Sequence, residues 1–79
     1  MFDNDHLAII QETARTILGN PDLVLDSALP IAEVPKWDSF ATVQIILMIE
    51  NQEGIQFDTV DVANIKKVGD LVAMMDKAS

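Results

Sequence analysis

The apolar positions predict three main helices and one short helical turn. Leu7, Ile10, Ala14 and Ile17 recur at spacings of three and four, which gives a first helix from about Asn4 to Leu18 with one apolar stripe. Asp3, Asn4 and Asp5 supply caps or favourable first-turn charge. Gly19-Asn20-Pro21 ends that helix. A second helix starts at Asp38 or Ser39 and runs to Gln52 or Glu53, with Gly54 just past its end. It is apolar almost all round. At about 100° per residue, Phe40, Val43 and Leu47 share one face, within about 60° of one another. Thr42, Ile45, Ile46 and Ile49 form the opposing face. A small domain cannot easily bury both. Either one face meets a partner or the helix is central and covered on every side, and the pattern alone does not choose.

Ile55 and Phe57 return the chain to the core. Asp58 or Thr59 caps a short turn through Val62 and Ala63. A final helix spans roughly Val68 to Asp76, with Val68, Leu71, Val72 and Met75 as its stripe. Asp70 favours its first turn, and Gly69 weakens it by about 1 kcal/mol relative to alanine. No strand pattern or internal repeat is evident. The fold class is all-α, a small bundle in one domain over residues 1–79.

The stretch from Gly19 to Trp37 is irregular and carries Pro21, Pro30 and Pro35. A loop of this length needs anchors of its own. Leu23, Leu25, Leu29, Ile31, Val34 and Trp37 provide them, with a short helical turn expected near Pro21 to Val24. Trp37 reads as a packing anchor rather than a stacking platform for a cofactor.

The 79 residues include no cysteine, which excludes disulfides, thiolate metal sites and cysteine nucleophiles. Thirteen acidic residues against five Lys/Arg give a net charge of −8, which opposes nucleic-acid binding and suits enzymes with basic surfaces. The same acidity also serves plain solubility. The acidic N-terminus has no apolar signal core, and no run is long enough to span a membrane. These features lead to the expectation of a cytoplasmic, soluble monomer. The single histidine, His6, reads as a solvated surface residue without metal or triad partners. Asp3-Asn4-Asp5 lacks the glycine and distal glutamate of a calcium loop, so no metal site is expected. Lys66-Lys67 reads as a solvated loop pair.

Candidate chemistry centres on Trp37-Asp38-Ser39-Phe40. Asp38 reads as the N-cap of the second helix and Ser39 as a residue of its first turn. A serine hydroxyl there sits at the positive end of the helix dipole, where an attached phosphate is favoured. No base adjoins Ser39, and the flanking residues do not match the Gly-x-Ser-x-Gly elbow of hydrolases. Any chemistry on Ser39 is then performed by another protein, and this chain is not an enzyme.

Asp38-Ser39, a bulky apolar residue after them, and Val43, Ile46, Leu47 and Glu50 on the same helix resemble the acyl carrier protein family, from about Leu7 to about Met75. The resemblance implies a long ordered loop between the first two helices. It implies a 4′-phosphopantetheine attached to Ser39, whose thiol holds acyl or aminoacyl groups as thioesters. It implies a phosphopantetheinyl transferase that uses magnesium, a loading ligase, and downstream transferases or synthases as partners. Asp38 helps position the transferase assembly. The resemblance also settles the face left open above. Phe40, Val43 and Leu47 meet partner enzymes, with Asp38, Gln44, Glu50 and Asn51 around them, and Ile45, Ile46 and Ile49 are core.

Carriers of fatty-acid synthesis usually show small residues before the Asp-Ser pair and leucine after it, where this chain has Lys36-Trp37 and Phe40. They also tend to have acidic residues after the serine, where Ala41, Gln44 and Asn51 are uncharged. Pro35-Lys36 does not match the Gly-Gly that peptidyl carriers show ahead of their serine. These departures point to a specialised free-standing carrier. The competing reading is a helical protein-interaction module with no prosthetic group, in which Ser39 only helps start a helix.

Overall fold

The computed structural model describes residues 2–78, with side chains from Asp5 onward. Four α-helices follow one another: α1 (Phe2–Leu18), α2 (Ser39–Glu53), α3 (Thr59–Ala63) and α4 (Val68–Ala78). α1 begins two residues earlier than its apolar period suggests. The caps expected from the side chains of Asp3 and Asn4 lie outside those described, and Asp5 is exposed. α1 packs against both α2 and α4. Ile10, Ala14, Ile45, Ile49, Val68 and Leu71 are fully buried where these three helices meet. Leu7 and Ile17, at the ends of the α1 stripe, are half-buried. His6 departs from its expected solvated place. It is half-buried, and its Nδ1 is enclosed without a hydrogen-bond partner among the described residues.

Both glycine stops work as left-handed caps. Gly19 has φ 68° and Gly54 φ 65°, conformations that side chains with a Cβ adopt at a cost. Each lets the next residue reach back, Asn20 N–H to the Arg15 carbonyl at 3.0 Å and Ile55 N–H to the Glu50 carbonyl at 3.3 Å.

Leu23, Leu25, Ile31, Val34 and Trp37 of the long loop enter the core, and Leu29 is half-buried. The helical turn expected near Pro21 to Val24 is not there. That region makes a plain turn, and the loop's short helical piece is a 3₁₀ turn at Ile31–Glu33. The Asn20 side chain accounts for the difference by accepting from Asp22 N–H at 3.2 Å, which closes a local turn instead. Two polar side chains of α1 hold the loop. Gln11 Oε1 accepts from Leu25 N–H at 2.8 Å, and Arg15 Nε donates to the Leu23 carbonyl at 2.7 Å.

The same loop caps α4. Val68 N–H donates to the Leu29 carbonyl at 2.9 Å and Gly69 N–H to the Ser27 carbonyl at 2.8 Å. These two donors open a helix and have no partner within it. Ile31 N–H returns the link by donating to the Lys66 carbonyl at 3.0 Å, and Pro30 and Lys67 form an isolated antiparallel bridge. Asp70 does more than favour the helix dipole. Its Oδ2 accepts from the backbone N–H groups of Lys66 and Lys67 at 2.8 and 3.0 Å. Those two bonds, with smaller help from the two ammonium charges, hold its carboxyl below the usual carboxylate range.

Gly69 is therefore a requirement of close approach rather than a weak point. A Cβ there would lie 2.8 Å from the Ser27 carbonyl oxygen. Gly69→Ala should lower stability by about 1–3 kcal/mol from overpacking, less ~1 kcal/mol regained in helix propensity. A urea melt that shows a more stable variant contradicts this packing. A depressed carboxyl contributes stability above its unfolded pKa and loses it as pH falls through its folded one. Acid unfolding should accordingly be shallower in Asp70→Asn below the ordinary carboxylate range, and an unchanged acid limb would show that Asp70 carries none of it.

Candidate functional site

Trp37-Asp38-Ser39-Phe40 makes the turn from the long loop into α2. Lys36 takes a left-handed backbone, φ 69°, uncommon for a residue with a Cβ. The reversal lets Trp37 turn inward, where only 6% of it is exposed. Its indole Nε1 donates to Thr42 Oγ1 at 2.8 Å, and Thr42 Oγ1 donates to the Asp38 carbonyl at 3.0 Å. Trp37 is thus a core anchor that also clips the first turn of α2.

Asp38 is the N-cap. Its backbone is extended, and its Oδ1 accepts from Ala41 N–H at 2.8 Å. Ser39 occupies the first helical position and is exposed. Among the described residues its hydroxyl has no hydrogen-bond partner, because the neighbouring carboxylate already serves the helix mouth.

Two shallow grooves open beside Ser39. One leads toward α3 and is walled by Val43, Val62, Ala63 and Ile65. The other faces the long loop and is walled by Ala32, Trp37, Asp38 and Lys66. Ile31, Thr42 and Ile65 line both. No histidine is among these residues.

Along α2, Phe40 is 71%, Val43 48% and Leu47 58% exposed, whereas Ile45 and Ile49 are fully buried and Ile46 is 6% exposed. The exposed three form a stripe about 10 Å long at 1.5 Å of rise per residue. Gln44 and Asn51 are exposed near it. Glu50, expected on that rim, is half-buried and turned away. Its Oε2 accepts from Phe57 N–H at 2.8 Å and so holds the chain leaving α2. Val60, on α3, is a further exposed apolar residue that the sequence pattern did not single out.

This division of labour predicts a ranking. Asp38→Ala should cost about 0.5–2 kcal/mol, the range for a lost cap. Ser39→Ala should stay within about 0.5 kcal/mol of the parent, as a surface change does. Urea melts of the two variants decide it, and the reverse order would make Ser39 the cap.

No family model and no curated protein matches the chain by sequence. Solved structures do. The solution NMR structure of a holo acyl carrier protein from Geobacter metallireducens is 25% identical, with a TM-score of 0.83 over 92% of this chain and 84% of that one. A Mycobacterium tuberculosis chain proposed to be an acyl carrier protein is 23% identical, with a TM-score of 0.74 over 98% of this chain and 97% of that one. Over nearly its whole length this chain therefore has an acyl-carrier-protein fold, with an exposed serine at the mouth of its second helix.

Proposed function

We propose that the chain carries acyl or aminoacyl groups as thioesters on a 4′-phosphopantetheine joined to Ser39, and presents them to biosynthetic enzymes. One observation carries the reading. The Ser39 hydroxyl is exposed at a helix mouth, and Asp38 relieves it of capping that helix. The residues fit the group. The hydroxyl is accessible, the first-turn N–H groups of Ser39 and Phe40 favour a phosphate charge, and open grooves leave room for an arm on either side. When bound, the group supplies the thiol that the sequence lacks.

The chain's own residues hold and orient. Ser39 Oγ is the acceptor for a phosphopantetheinyl transferase, which moves the group from coenzyme A with a metal ion neutralising phosphate charge. As the Ser39 Oγ–phosphorus bond forms, the pyrophosphate bond of coenzyme A breaks, adenosine 3′,5′-bisphosphate departs, and the hydroxyl proton leaves to the transferase. Asp38 and the Trp37–Thr42 clip keep the first turn of α2 in place while Ser39 is presented. A tether of this kind raises the local concentration of its cargo near a docked active site. Phe40, Val43 and Leu47 form the docking stripe, with Gln44 and Asn51 beside it and Asp38 at its head. No helix among the described residues is long and apolar enough to cross a membrane.

A competent transferase should add one group, found by peptide mapping on Ser39, and Ser39→Ala should take none. Modification elsewhere, or none with several transferases, counts against the carrier reading. On the docking stripe, Leu47→Ala should weaken partner binding while changing stability by about 0.5 kcal/mol or less. Ile46→Ala should cost core stability of about 2–5 kcal/mol. Because the stripe has little charge beside it, affinity should fall only weakly with added salt. Titrations of a loading enzyme at low and high salt check this, and a steep fall would point to charged contacts instead.

A further inference from the structure

The two grooves beside Ser39 differ in charge. The groove toward α3 has no cation in its walls, and the groove toward the long loop has Lys66. Lys66 is one of only five Lys/Arg in the chain. Its backbone is pinned on both sides: the N–H donates to Asp70 Oδ2 at 2.8 Å and the carbonyl accepts from Ile31 N–H at 3.0 Å. The side chain therefore leaves from a fixed point. Arg15 and Lys77 close salt bridges with Glu12 and Asp61, but the Lys66 ammonium closes none among the described residues. Its neighbour Lys67 is also exposed and does not line the groove.

We propose that Lys66 holds the phosphodiester of an arm attached to Ser39, so that the arm leaves the serine along the loop-side groove. This rests on the reading of Ser39 as the attachment point. A phosphodiester on Ser39 sets a second negative charge beside the Asp38 carboxylate, on a chain that already carries −8. The helix N-terminus offsets only part of that charge. A lysine in the wall of the same groove can offset more, because it binds phosphate as a point charge with three rotatable donors. Holding the phosphate leaves the thiol end free. Lys66 thus sets the direction in which the cargo is offered rather than its reach.

The test uses the full chain, apo and loaded by a transferase, with loading at Ser39 first established by intact mass and peptide mapping. Lysine ε-methylene NMR signals and the ³¹P relaxation of the phosphodiester are then recorded. Loading should shift the Lys66 signal and leave Lys36 and Lys67 in place, and the shift should shrink near 1 M salt, where the screening length is about 3 Å. Lys66→Gln should lengthen the ³¹P transverse relaxation time, and Lys67→Gln should leave it unchanged. An unmoved Lys66 signal, a shift at Lys36 instead, or identical ³¹P relaxation in the two variants overturns the assignment of Lys66 alone. A chain that takes no group at Ser39 overturns it together with the carrier reading.

Discussion

Two irregular segments hold one another in place, and the geometry around Ser39 depends on that union. The long loop gives its Ser27 and Leu29 carbonyls to the first two N–H groups of α4, and takes the Lys66 carbonyl for Ile31 in return. The first two N–H groups of α4 and the Ile31 N–H each find their acceptor in the other segment rather than in their own. A buried backbone donor left without an acceptor costs about 1–3 kcal/mol, so each segment stabilises the other's conformation. Asp70 closes the arrangement from the α4 side, and Gly69 permits it by having no Cβ. The consequence for function is positional. Ile31 from one segment and Ile65 from the other line both grooves at the serine, and Lys66 lines the loop-side one.

The head of α2 shows how a small fold separates structural duty from chemical availability. A helix needs a cap, and Asp and Ser both serve well. With both present in sequence, Asp38 takes the cap and Ser39 stands one position further on, exposed. The Trp37 indole stiffens the same turn through Thr42. A rigid turn with an unengaged hydroxyl is what another enzyme can recognise and modify.

Much of this was legible in the sequence because it depends on local pattern. The period of α1, the Asp38 cap, the Gly19 and Gly54 stops and the apolar stripe of α4 are set within a few residues of themselves. The buried face of α2 was not legible from periodicity, since apolar residues occur almost all round it. The family resemblance identified Ile45, Ile46 and Ile49 as core, and the structure buries them. What stayed hidden involves polar groups acting across long sequence distances. Gln11 and Arg15 lie outside the apolar period of α1, yet they hold Leu25 and Leu23 of the loop. Gly69 read as a helix defect because its partner, Ser27, is far away in sequence. Glu50 read as a rim charge because nothing in the pattern signals that a carboxylate will turn back to Phe57 N–H.

The carrier reading makes the exposed stripe of α2 and the exposed serine parts of one surface, the first for docking and the second for cargo. An interaction module would need only the stripe. The two readings separate most directly in the intact mass of the protein purified from its native host, followed by mapping of any added mass. The account predicts a chain heavier by one phosphopantetheine group, free or acylated, located on Ser39. A chain with no added mass, or with the mass on another residue, would contradict it.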